Sequence, residues 1–224
     1  MVCPPKTGST SSVFYLLRSG LVDLDKDIFH VENLERQSGF LFEDKLEKET
    51  VKKILKDFIL KSSNVLKPHI EFSELHRKNL LHEGMDCVGT IRNPLDRLAS
   101  AFYMLKNYKA VLPNLVKSLQ DPNAFFDAVQ KSKENSTGLG LLKKPQVTFF
   151  PDHVELFNTE NLHQHINRFI EDRKGLKGAE LLLRKNPNGV EGFVLGLTPD
   201  RKQSILDTYS KDFEVWEKAY AVYN

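Results

Sequence analysis

A short buried strand followed almost at once by an amphipathic helix constrains the fold of this chain more than any other feature. Residues 85–91 form an apolar run containing cysteine, valine, threonine and isoleucine, a composition typical of a buried strand. Pro94 then favours the start of a helix, because proline is well suited to the first helical position. Apolar residues follow at helical spacing, at Leu95, Leu98, Phe102 and Leu105.

The alternation of short strands and helices continues along the chain. We predict a second strand over 153–157 and a loop over 131–145. Helices are predicted over 45–61, from Ser73 as N-cap to Leu81, over 121–130, over 160–170 and from the Thr198 cap to about Tyr220. This order favours a single α/β domain over residues 1–224, with a mostly parallel sheet and helices on both faces. Ligands of such folds bind at the carboxyl ends of the strands.

The composition excludes several classes of protein. Hydrophobic residues make up 40% of the 224 residues and charged residues 28%, which is a globular mixture and not that of a disordered chain. The net charge of +2 does not indicate a nucleic-acid-binding protein. The longest apolar runs fall far short of the ~20 residues that span a bilayer, so we expect no membrane span. Two cysteines, with no metal-ligand spacing of cysteine and histidine, predict neither a disulfide scaffold nor a metal site.

A hydroxyl-rich turn near the start of the sequence is a candidate anion site. The residues that could contribute are Lys6, Thr7, Gly8, Ser9, Thr10 and Ser11. They precede a predicted helix, at whose start unpaired backbone N–H groups and the helix dipole favour an anion. An ordinary serine or threonine helix cap would explain the same residues. The turn is not a Walker A motif, because Lys6 precedes Gly8 instead of following the glycines.

Arg92 and Ser100 form a second candidate anion site. Arg92 ends the strand predicted over 85–91, and Ser100 lies two turns into the following helix, on the same face as Arg97. The planar guanidinium group of arginine fits phosphate oxygens, and the carboxyl end of a strand is where a ligand would lie. A surface arginine and a helix serine, with no ligand, are the simpler interpretation of the same two residues.

Together, these two segments resemble motifs of the sulfotransferases that use 3′-phosphoadenosine 5′-phosphosulfate (PAPS). The first reads Pro-Lys-x-Gly-Ser-Thr-Ser and the second Ile-Arg-x-Pro-x-x-Arg-x-x-Ser-x-Phe. The form that these two motifs take here is similar to that of the Golgi carbohydrate sulfotransferases, including the glycosaminoglycan enzymes. The resemblance implies a P-loop-like sulfotransferase fold in which residues 6–11 hold the 5′-phosphosulfate, while Arg92 and Ser100 hold the 3′-phosphate. Weaker similarities lie at residues 159–162, 185–188 and 209–213.

A third segment supplies a candidate catalytic base. His69 and Phe72 resemble a His-x-x-[Tyr/Phe] stretch of the uronic acid 2-O-sulfotransferases, in which the histidine is the base. Its ordinary pKa near 6.5 lets a histidine accept a hydroxyl proton at neutral pH. Other branches of the family use a carboxylate, so Glu71 and Glu74 are competing candidates. The remaining histidines are weaker candidates: His30, His76, His82, His153, His163 and His165.

The sequence therefore predicts a sulfotransferase that moves a sulfuryl group from PAPS to a carbohydrate hydroxyl, with glycosaminoglycans as a candidate acceptor class. In this scheme His69 is the base, Lys6 stabilises charge on the transferring group, and no metal is required. The alternatives are a nucleotide or sugar kinase with a degenerate phosphate loop, and a non-catalytic nucleotide- or glycan-binding remnant. The resemblance implies the Golgi lumen if the sequence is the luminal part of a longer protein. The lack of a targeting segment implies the cytoplasm if the sequence is complete.

Overall fold

Two short strands form a parallel sheet in the part of the chain that the computed structural model describes, residues 71–77, 87–107, 117–134, 139–175 and 190–221. Strand β1 (Val88–Ile91) pairs with β2 (Glu155–Asn158), and Val88 lies opposite Glu155. Parallel strands need a long crossover connection, and here the connection contains helices. The parallel pairing, and the two strands predicted near residues 85–91 and 153–157, are confirmed.

Helices make up most of the described residues. They are α1 (Phe72–Arg77), α2 (Pro94–Asn107), α3 (Pro122–Lys131), α4 (Leu139–Lys143), α5 (Leu162–Lys174), α6 (Val190–Gly196), α7 (Pro199–Thr208) and α8 (Ser210–Ala221), with single 3₁₀ turns at Lys117–Leu119 and Gln146–Phe149. None of these helices is long and apolar enough to cross a membrane. The helix predicted over 45–61 lies outside the described residues.

The helices predicted after Pro94, over 121–130 and over 160–170 are confirmed as α2, α3 and α5. The sequence signal at α3 is local, because Asp121 accepts hydrogen bonds from the N–H groups of Asn123 at 2.8 Å and Ala124 at 3.0 Å. Pro122 occupies the first helical position, as its fixed φ angle favours. This cap and Pro122 are local signals for the start of α3.

Three local predictions are wrong. Ser73 does not cap a helix, because α1 already begins at Phe72. The loop predicted over 131–145 contains the short helix α4. The helix predicted from Thr198 to Tyr220 is two helices, α7 and α8, which meet at Tyr209, where φ is −113° and ψ is 24°. The second difference has a tertiary cause, a set of buried polar side chains from distant parts of the chain.

The apolar core lies where α2, α3 and α6 meet. Phe102, Phe125 and Phe193 come one from each helix and are each at most 2% exposed. Their ring centroids lie 5.5 Å apart for Phe102 and Phe125, 5.5 Å for Phe102 and Phe193, and 6.2 Å for Phe125 and Phe193. These tilted and edge-to-face contacts add to the free energy gained by burying the rings.

Close packing against the sheet explains the glycine in β1. A Cβ atom at Gly89 would lie 2.7 Å from the Phe150 ring and 3.1 Å from the Leu156 side chain. Because these contacts are shorter than van der Waals separations, a larger residue would displace the Phe150 ring from the strand.

Arg97 and Tyr209 hold the helix α4 in place. Arg97 is 1% exposed, and its guanidinium group donates hydrogen bonds at 3.0 Å to the carbonyls of Leu141 and Lys144. The Tyr209 hydroxyl donates to the Leu142 carbonyl at 2.8 Å, and burial raises the pKa of Tyr209 to about 12. Carbonyls at the end of a short helix have no intrahelical partner, so these side chains satisfy them. The local sequence contains no signal for such distant donors.

Asp212 on α8 holds the turn that follows α4. Its buried carboxylate accepts hydrogen bonds from the N–H groups of Gln146 at 2.7 Å and Val147 at 2.9 Å. Burial raises the pKa of Asp212, while these N–H groups and the positive charge of Arg97 act in the opposite direction. We call Arg97, Tyr209, Asp212 and Gln146 the buried polar network.

We expect the charge of Arg97 to contribute more to the free energy of unfolding than that of an exposed arginine. Arg97→Met would leave the Leu141 and Lys144 carbonyls without these donors and Asp212 without its nearby positive charge. Breaking a buried, paired charge typically costs about 3–5 kcal/mol of unfolding free energy, which urea denaturation measures.

Arg201→Met is the matched control. Arg201 pairs with Asp127 at 2.8 Å, and these side chains are 40% and 37% exposed, so its removal should cost less than about 1 kcal/mol. Equal losses for the two variants would contradict a structural role for the buried Arg97 charge.

Candidate functional site

The carboxyl ends of β1 and β2 meet at one edge of the sheet. Ile91 lies opposite Asn158 at the ends of the paired strands, so Arg92 and Thr159 both follow at that edge. The Thr159 N–H group donates to the Ile91 carbonyl at 3.0 Å and continues the pairing by one residue. This edge is where ligands of parallel α/β sheets bind.

Arg92 lies among acidic side chains at this edge. It is partly buried, and the negative charges of Asp96 and Glu160 act on it. Burial lowers the pKa of Arg92, while Asp96 and Glu160 act in the opposite direction. Burial also raises the pKa of Asp96, which the charge of Arg92 opposes and that of Glu160 reinforces. Arginine keeps its proton in proteins, so a partly desolvated positive charge stands at the strand end.

Glu160 is held by groups from three parts of the chain. Its Oε2 atom accepts a hydrogen bond at 2.9 Å from the indole Nε1 of Trp216 on α8. The Asn93 N–H group and the Thr159 hydroxyl lie at 3.5 Å from its two carboxylate oxygens. The carboxylate beside Arg92 is therefore fixed by the fold.

The start of α2 faces the same edge. The Asn93 side-chain oxygen accepts a hydrogen bond from the Leu95 N–H group at 3.0 Å, and Pro94 occupies the first helical position. Asn93 is thus the cap that turns β1 directly into α2. The positive end of a 14-residue helix dipole lies next to Arg92.

Ser100 and Arg97 have different environments although both lie on α2. Ser100 is partly buried and lies four residues beyond Asp96, so Ser100 and Asp96 share a helix face. Arg97 is instead buried against α4, where it binds the Leu141 and Lys144 carbonyls. The arginine in the middle of this motif is therefore structural, and Arg92 is the arginine at the sheet edge.

Most of the other candidate site residues lie outside the described residues. These are Lys6, Thr7, Gly8, Ser9, Thr10, Ser11 and His69, together with residues 185–188 of the weaker similarity. The competing carboxylates are described: Glu71 is ion-paired with Lys144, and Glu74 lies 3.7 Å from Arg77. Phe72 packs edge-on against His153, with ring centroids 6.1 Å apart.

His165 is a structural residue and not a candidate base. It is fully buried, its Nδ1 accepts a hydrogen bond from the Asn158 N–H group at 3.3 Å, and its ring packs edge-on against Phe157. Burial lowers the pKa of His165 to about 4, against a weaker opposite effect of a backbone hydrogen bond at Leu156. Its neutral ring fastens α5 to the end of β2.

Sequence reasoning missed the residues that hold Arg92. Glu160 lies in the segment of weaker similarity, whose position after a strand is a usable signal. Trp216 and Gln146 are 56 and 54 residues from the groups that they bind, Glu160 and Arg92. No local pattern reports contacts at such separations.

Among the described residues, no three acidic, histidine or cysteine side chains cluster as metal ligands would.

Comparisons with protein-family models, with curated proteins and with solved structures find no match to this chain. The residues of this chain and the geometry of the sheet edge are therefore the basis for inferring its function.

The neutral His165 predicts a loss of stability in mild acid. The unfolded chain protonates the imidazole near pH 6.5, whereas the folded protein resists protonation until about pH 4. The unfolded state thus binds more protons in this window, and the unfolding free energy falls as pH drops, by about 3 kcal/mol in total.

Urea denaturation of wild type and His165→Gln over this pH window measures the effect. The variant should lose this part of the pH dependence. His163→Gln makes the same substitution at a partly buried position of the same helix and is the control for the substitution itself. A full wild-type slope in His165→Gln would contradict the assignment.

Proposed function

We propose that this protein is a PAPS-dependent sulfotransferase with a P-loop-like fold that moves a sulfuryl group to a carbohydrate hydroxyl. The observation that carries the proposal is Arg92 at the carboxyl end of a buried parallel strand, beside the capped start of α2. A ligand of an open α/β sheet binds at this edge, and Arg92 is the residue that the second sulfotransferase-like motif assigns to the 3′-phosphate.

The charges beside Arg92 determine how a phosphate would bind there. The guanidinium group is partly desolvated, and the negative charges of Asp96 and Glu160 interact with its positive charge. A phosphate monoester carries roughly two negative charges near neutral pH and would compete with the Asp96 and Glu160 carboxylates for the arginine. Ser100, on the same face of α2 as Asp96, would donate its hydroxyl hydrogen to another phosphate oxygen.

The hydroxyl-rich turn of residues 6–11 would bind the 5′-phosphosulfate. In the reaction the acceptor oxygen forms a bond to sulfur, and the bond between sulfur and the 5′-phosphate oxygen breaks. The leaving phosphate keeps the electron pair of that bond, and Lys6 with the backbone N–H groups of the turn stabilises the developing charge. The proton of the acceptor hydroxyl passes to His69.

The contacts of Glu71 support this role for His69. Glu71 follows His69 by two residues and is ion-paired with Lys144. Lys144 is two residues before Gln146, whose side chain binds the backbone of Arg92. Glu71 is therefore tied to the segment beside the sheet edge. Because Glu71 is already engaged in the ion pair with Lys144, we favour His69 over Glu71 as the base.

Nucleotide binding tests the phosphate assignment. Adenosine 3′,5′-bisphosphate should raise the melting temperature, with about 2.7 kcal/mol of stabilisation at 100 times its dissociation constant. AMP at the same concentration should have much less effect, because it lacks the 3′-phosphate that Arg92 and Ser100 bind. The single tryptophan, Trp216, binds Glu160 beside Arg92, so its fluorescence should report the same event.

Arg92→Met is the matched variant and should lose the preference for the bisphosphate while retaining the AMP response. Equal shifts from both nucleotides in the wild-type protein would rule out the 3′-phosphate assignment. Magnesium-dependent ATP turnover without sulfate transfer would support a kinase in its place. Tight bisphosphate binding without transfer to any acceptor would support a non-catalytic binding protein.

Transfer of labelled sulfate from PAPS to a panel of desulfated glycosaminoglycans tests the chemistry. His69→Ala should lower turnover by about 10²–10⁴-fold, the usual effect of removing a general base, and leave bisphosphate binding nearly unchanged. Glu71→Gln is the control, and its turnover should stay much closer to wild type. An active His69→Ala protein beside an inactive Glu71→Gln protein would transfer the role of base to the carboxylate.

A further inference from the structure

The side chain of Gln146 binds both backbone polar groups of Arg92. Its Oε1 atom accepts a hydrogen bond from the Arg92 N–H group at 3.0 Å, and its Nε2 atom donates to the Arg92 carbonyl at 2.8 Å. Gln146 is fully buried, so water does not compete for these groups. A side-chain amide here makes the pair of hydrogen bonds that a neighbouring strand would make.

This pairing extends β1 beyond its contact with β2. The Ile91 carbonyl accepts from the Thr159 N–H group at 3.0 Å and therefore points toward β2. Successive residues of an extended strand direct their backbone groups to opposite sides, so those of Arg92 point away from β2. Gln146 meets them there and fixes the backbone at the residue that carries the guanidinium group.

Gln146 is itself held by α8. Its N–H group donates to Asp212 at 2.7 Å, and its Nε2 atom lies at 3.4 Å from the same carboxylate oxygen. The side-chain amide therefore has restricted freedom to rotate, since both of its polar atoms have partners. The position of the Arg92 backbone depends on α8 through this one side chain.

We propose that Gln146 is a positioning residue that sets the affinity of Arg92 for the nucleotide 3′-phosphate, an inference that rests on the proposed function. Two parallel hydrogen bonds between guanidinium and phosphate tolerate little displacement, so a small rotation of the Arg92 backbone weakens both. Gln146 acts through Arg92 and has no contact with the nucleotide in this scheme. Its loss should therefore affect ligands that carry a 3′-phosphate and spare those that do not.

Gln146→Met tests the proposal, because methionine is similar in length and has neither amide group. The dissociation constants of adenosine 3′,5′-bisphosphate and AMP are measured by Trp216 fluorescence, well below the melting temperature. The bisphosphate affinity should fall about tenfold, the lower end of the losses seen when a group that orients a metal ligand is removed, and the AMP affinity should not change.

Tyr209→Phe is the control for general destabilisation. It removes the buried hydrogen bond to the Leu142 carbonyl in the same network but leaves the bonds to Arg92. Its ratio of bisphosphate to AMP affinity should equal that of wild type. Should Gln146→Met fail to fold, Gln146→Asn, which keeps the amide but has a shorter reach, carries the same test.

A wild-type affinity ratio in the folded Gln146 variant would overturn the inference, as would an equal loss in Tyr209→Phe. If wild-type protein itself does not distinguish the two nucleotides, the proposed function fails before Gln146 is tested. The two failures are therefore distinguishable in one set of titrations.

Discussion

The buried carboxylate of Asp212 needs hydrogen-bond donors and positive charge inside the fold. The positions of the segments around it depend on which groups supply them. Removing a carboxylate from water costs several kcal/mol unless partners replace the lost hydration. Here the N–H groups of Gln146 and Val147 and the nearby charge of Arg97 supply that replacement. Arg97 on α2 also binds carbonyls at the end of α4. Its charge therefore links α2 both to α4 and to Asp212 on α8.

The same arrangement determines the geometry of the sheet edge. Helix α8 carries Asp212, which orients Gln146 against the backbone of Arg92, and Trp216, which orients Glu160. One helix thus supports both sides of the candidate site, although its own side chains are not assigned to the ligand. Charges that the fold already holds in place need little reorganisation when a ligand binds beside them.

Two separate features of the chain point to Arg92. The resemblance to the PAPS-dependent enzymes comes from short motifs, and the sheet edge comes from the pairing of β1 with β2. They meet at Arg92, which is both a motif residue and the residue at the strand end. Arg97, in the same motif, has a different role, because its burial commits the guanidinium group to the carbonyls of α4.

The sequence by itself determined the elements whose signals are local. Apolar runs gave the two strands, helical spacing and caps gave α2, α3 and α5, and the step from strand to helix gave Arg92 at the strand end. Only the tertiary structure decided that α4 exists and that α7 and α8 separate at Tyr209. It also decided that Gln146 binds the Arg92 backbone and that Trp216 binds Glu160. The physical reason is separation along the chain: Gln146 and Asp212 are 66 residues apart, and their pairing follows from burial in a common interior that no local pattern of residues describes.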